Sequence, residues 1–146
     1  MGRNILAAIA GYFAIGVLVV LTDQIFSLAI PGFRAMAMPP AFYFAVSLLT
    51  DFVYSAVGGF ICSALARRGS KTATLILIAA GEAIGIAVAI AGWQVMPHFF
   101  VLGLLVLNPL GVFLGSAFQR RNSALTAQPG QQPLYGPADL VSPSLP

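Results

Sequence analysis

Four residues hold most of the chemistry open to this chain: Asp51, Tyr54, Glu82 and Asn108. A carboxyl can take up and release a proton or hold a cation, and an amide or phenol can orient either event. What makes them informative is their setting, because each stands inside a long apolar run with no Lys or Arg beside it. A carboxylate at the centre of a hydrocarbon layer costs roughly 2.5–3.5 kcal/mol. Asp51 and Glu82 are therefore expected to keep a proton, to share one, or to be neutralised by a bound cation.

The runs that must position these groups span about 4–30, 41–66, 72–95 and 98–118. The 146 residues are 59% hydrophobic and 8% charged, with a mean hydropathy of +0.93. A soluble domain carries about 25% charged residues, so a water-soluble fold is excluded. Crossing ~30 Å of hydrocarbon takes about 20 helical residues, which each run supplies. Barrel strands alternate over ~10 residues and do not fit such continuous runs. The expected fold is all-α, an integral-membrane bundle of four transmembrane helices in domain 1–121, followed by a disordered tail over 122–146.

Charge gives the threading. Six of the seven Lys and Arg residues, Arg3, Arg67, Arg68, Lys71, Arg120 and Arg121, fall at alternate ends of the runs. Cytoplasmic segments retain such residues, so both termini are expected inside, with Arg34 and the 96–98 turn outside. The basic pI then reflects membrane flanks and lipid headgroups, with no interleaved aromatic patch to imply nucleic acid. The run in 4–30 exceeds the length of a secretory h-region, favouring an uncleaved anchor. Cys62 is the single cysteine, so no intrachain disulfide forms.

Helical spacing puts the polar groups on defined faces. Ser47, Asp51, Tyr54, Ser55, Gly58 and Cys62 make one stripe of the second helix. On the third, Gly81 and Gly85 lie in a stripe beside Glu82; on the fourth, Asn108, Gly111 and Gly115 align. Small residues four apart let helices approach closely, so Gly58, Gly81, Gly85, Gly111 and Gly115 are expected to be packing positions. Counting 1.5 Å per residue, Asp51, Glu82 and Asn108 all fall near the midplane. Asp23 lies nearer the outer surface, where Arg34 is its expected ion-pair partner.

Residues 122–146 hold five of the ten prolines and almost no charge, which denies them a packed core. Within the helical part, residues 58–68 match 111–121 at six of eleven positions without a gap. Both segments close a helix at the same face, the pattern of a parallel repeat. The Gly58-Gly59 and Ala66-Arg67-Arg68 of the first segment, with the run from Pro109 to Gly115, resemble a group of small bacterial four-helix inner-membrane proteins of no assigned activity. The resemblance covers 1–121 and implies a bacterial inner membrane. It brings no catalytic residue, cofactor or ligand.

The residues give a leading reading and one alternative. In the first, the protein has a structural or partner-binding role in the membrane, within a homo-oligomer or beside a partner protein, and its polar side chains are hydrogen-bonding glue between helices. In the second, Asp51, Glu82, Asn108 and Tyr54 form a proton or cation site of a coupled small-molecule transporter. Small multidrug transporters are similar in size and helix number only; their essential glutamate lies in the first helix, where this chain has Tyr12 and Asp23. An enzyme is not expected, since no nucleophile and base lie within reach of each other. Nor is a metal centre, since His98 and Cys62 are far apart in the sequence.

Overall fold

The computed structural model describes residues 2–30, 41–66 and 70–126. It is all-helical, with α1 over Gly2–Ala29, α2 over Ala41–Ala66, α3 over Ser70–Gly92 and α4 over His98–Thr126. All four are long and apolar enough to cross a membrane. Two ends differ from expectation. The third helix stops at Gly92, where the amides of Val95 and Met96 fold back onto the Gly92 carbonyl at 3.0 and 2.9 Å in a turn ahead of Pro97. The fourth runs past 118 to Thr126, because residues 119–126 contain neither Gly nor Pro. There Gln119 Nε2 donates to Ser123 Oγ one turn on, at 2.9 Å. The first five residues of the expected tail are thus helical; Arg34, Arg67, Arg68 and 127–146 lie outside the described residues.

α2 and α4 form the central pair and run parallel. Ser55 meets Asn108, and Ser63 meets Ser116, both at a sequence separation of 53. That is the offset of the internal sequence match, so matching positions of the two segments lie side by side. Glycine makes the seam close. A Cβ on Gly59 would overlap the Val112 carbonyl, and one on Gly115 would overlap the Ala56 carbonyl. A Cβ on Gly111 would come within 2.6 Å of the Phe52 carbonyl. Backbones this near gain dispersion contacts that long side chains would prevent.

α1 packs antiparallel on α2. At one end the Arg3 guanidinium donates to the carbonyls of Leu65 and Ala66 at 3.3 and 3.4 Å, capping the C-terminus of α2. At the other end Phe26 meets the Tyr43 ring edge-on, centroids 5.1 Å apart. Midway, Gly58 lies against the Ile15 side chain, and a Cβ on Gly11 would come within 2.7 Å of the Gly58 carbonyl. α3 packs on α4 and also touches α1 and α2, whereas α1 and α4 do not pack on each other.

The central core cluster is built from small side chains, Ala7, Ala8, Cys62, Ala66 and Ala73, with Leu77 and Val112, while Phe44 and Phe100 are buried against each other nearer Tyr43. Large apolar residues such as Phe13, Leu28, Leu65 and Ile90 point outward. A water-soluble bundle has the opposite arrangement; lipid tolerates this one because its tails are as apolar as leucine. All four described cationic residues, Arg3, Lys71, Arg120 and Arg121, gather at the end where Arg3 caps α2, and Asp23, Tyr43, Trp93 and His98 occupy the opposite end.

Candidate functional site

The four residues singled out by type separate into two kinds. Tyr54 and Asn108 are engaged across helix seams. The Tyr54 hydroxyl shares a hydrogen bond with Thr22 Oγ1 of α1, and Thr22 also donates to the Leu18 carbonyl at 3.0 Å, so Tyr54 is the donor in the shared bond. Ser55 Oγ, 1% exposed, donates to Asn108 Oδ1 at 3.0 Å across the α2–α4 contact. Below it, Ser63 donates to Gln119 Oε1 at 3.0 Å and approaches the Ser116 carbonyl at 3.4 Å. These bonds satisfy polar atoms that hydrocarbon could not.

Asp51 and Glu82 behave differently. Neither makes a hydrogen bond or an ion pair with any described residue, and both line one cavity of about 400 Å³. All four helices contribute walls: Ile15 and Val19 from α1, Ser55 from α2, Leu77 and Ile78 from α3, Leu105 and Asn108 from α4. The cavity occupies the region where α1 and α4 fail to meet. Two glycines widen it, since a Cβ on Gly16 or on Gly81 would find nothing within 4 Å. Gly81, expected at a helix contact, therefore faces open space. Gly85 is next to Leu105, where a Cβ would rest at an ordinary 3.5 Å.

Pro109 stands inside α4 and also lines the cavity. A proline has no N–H, so the carbonyl four residues earlier, that of Leu105, loses its usual helical donor.

A second cavity, of about 330 Å³, lies toward the Trp93 and His98 end. Asp23, Tyr43, Ser47 and Thr50 line it, and Asp51, Val19 and Met96 border both cavities. Asp23 accepts a hydrogen bond from the Tyr43 hydroxyl at 3.0 Å, a partner the sequence reading did not consider; the proposed pairing with Arg34 lies outside the described residues. Tyr43 is held by ring contacts to Phe26 and Phe44, and Phe44 in turn by Phe100, so rings from three helices frame this end. Asp51 is thus the carboxyl common to an end cavity and a central one.

No known protein family, curated protein or solved structure matches the chain. Its function must then be read from its own side chains. The sequence reading gave no site role to Thr22, Tyr12 or Gly16 and did not foresee the Asp23–Tyr43 bond. Thr22 carried a faint signal, being a polar residue next to Asp23 in an apolar run. Gly16 carried none, because only the arrangement of helices reveals that its missing side chain opens a cavity.

Proposed function

We propose that this small multi-pass membrane protein binds a cationic solute at Asp51 and Glu82 and moves it in exchange for protons. The observation that supports this reading most directly is the pairing of absence and presence around those acids. They lack partners among the described residues, yet they share a cavity large enough for a ligand. Carboxyls serving as glue would hydrogen-bond across helices, as Ser55 with Asn108 and Thr22 with Tyr54 do. Ionisable groups within a span default to a transport or proton role. Asp51, bordering both cavities, is the natural point of exchange between the end of the bundle and its centre.

Under this proposal the protein lies in a bacterial inner membrane with both termini cytoplasmic, as the positive flanks favour. The outer cavity with Asp23 and Tyr43 then opens toward the external face. Association with a second copy is part of the same proposal, since a bundle this thin exposes apolar residues all round. The structural role keeps one observation in its favour, the close α2–α4 seam, which fits a protein whose task is to hold a partner.

Infrared difference spectroscopy of the carboxyl C=O band in reconstituted protein separates the two. Bands that respond to external pH and vanish in Glu82→Gln or Asp51→Asn support the proton-coupled site. Bands that vanish in the variants but ignore external pH overturn it in favour of the structural role.

A further inference from the structure

We propose that the central cavity takes a monovalent organic cation, an onium or protonated amine carried on an apolar body, and that it enters sideways from the lipid. This rests on the carboxyl reading above and adds the class of ligand and its route.

Three properties of the cavity select that chemistry. Its volume of about 400 Å³ falls in the ~300–1,000 Å³ range of pockets for small organic ligands. Its walls are mostly aliphatic, so an apolar body gains contact area there that a hydrated ion would not. Among the described residues, its only charged lining groups are the acids Asp51 and Glu82. An anion would meet like charge.

A bare metal ion is disfavoured by ligand supply. Calcium wants about six to eight oxygens at close range. Here Ser55 Oγ and Asn108 Oδ1 are committed to each other, and no group of three His, Cys, Asp or Glu side chains comes together among the described residues. An onium needs no such shell. It is weakly hydrated, and a carboxylate and a ring face suffice to hold it.

The rim gives the route. Tyr12, Gly16 and Val20 stand one turn apart along α1, and Ile84 and Val88 one turn apart along α3. All five line the cavity and are exposed, so they mark where it opens. In a membrane that mouth faces acyl chains, the phase in which an apolar cation collects. Tyr12 puts an aromatic ring at the entrance, where cation–π attraction favours a poorly solvated positive charge.

The test is equilibrium dialysis of tritiated phenyltrimethylammonium against the full chain in lipid nanodiscs, with empty nanodiscs as background. tert-Butylbenzene, which has the same shape without the charge, serves as competitor. Saturable binding is expected, with no displacement by tert-butylbenzene at equal concentration. Gly81→Leu and Gly16→Leu, which project into open space and leave the seams alone, should each weaken it about ten-fold or more. Asp51→Asn should do the same through charge. Fold is checked in every variant by the resistance of buried Cys62 to maleimide. Binding that is absent, or that survives both leucine variants in folded protein, overturns the proposal. If the carboxyl bands still respond to pH while no onium binds, the ligand class fails and the proton-coupled site stands. If the bands are also silent, both fail.

Discussion

Gly59 and Val112 are in backbone contact: a single methyl group added to Gly59 would overlap the Val112 carbonyl oxygen. The two residues occupy matching positions of the internal sequence similarity. Their contact shows how the α2–α4 seam works, with a hole on one helix receiving the chain of the other. Gly59→Ala should therefore push the seam apart and cost about 1–3 kcal/mol, and Gly115→Ala a similar amount. The rate of maleimide labelling at buried Cys62 under increasing denaturant reads both.

Gly81 should respond in the opposite sense. A Cβ there meets nothing within 4 Å, so Gly81→Ala gains helix propensity of about 0.5–1 kcal/mol without a clash. The same assay should show equal or greater stability. A loss as large as that of Gly59→Ala would mean that α3 lies closer to its neighbours than described.

The Ser55–Asn108 bond should be worth what such bonds bring between helices in lipid, about 0.6 kcal/mol and at most roughly 2. A double-mutant cycle on Ser55→Ala and Asn108→Ala isolates it. A parallel cycle on Thr22→Val and Tyr54→Phe should return a coupling of the same order.

Asp51→Asn should leave stability unchanged or raise it, by up to about 2 kcal/mol, because the native carboxyl has no hydrogen-bond partner among the described residues to lose and carries the greater cost of burial. Glu82→Gln should follow. A group kept for binding is often a burden on folding, so stabilisation together with lost pH response in the infrared band is the signature sought. Clear destabilisation by both amides would instead place these carboxyls in the framework.

At the other end of the bundle, Tyr43→Phe removes the hydrogen bond to Asp23 while keeping the rings in contact with Phe26 and Phe44. The bond is exposed, so its loss should cost under about 1 kcal/mol in the cycle with Asp23→Asn.

Existence and order of the helices could be read from apolar length alone, because hydrocarbon thickness sets a span so strictly that composition suffices. Ends were harder. Gly92 and the return of Val95 and Met96 onto it depend on local turn bonding, and residues 119–126 have enough helix-forming side chains to continue α4 past the apolar run. The seam glycines Gly58, Gly111 and Gly115 were named from spacing, while Gly81, chosen by the same rule, faces a cavity. Spacing identifies which residues share a face but not which helix that face meets. For the same reason Asn108 and Tyr54 could not be told apart from Asp51 and Glu82: all four are polar groups in apolar runs, and only the neighbouring helix decides which of them finds a partner.

Arg3 donates to the last carbonyls of α2, so the first turn of the chain and the far end of the second helix are obliged to emerge on the same face. The last carbonyls of a helix have no intrahelical donor, so without Arg3 these two would need one from elsewhere. The bond thus pins the start of α1 to the end of α2, and the first hairpin carries a clasp of its own that needs nothing from α3 or α4.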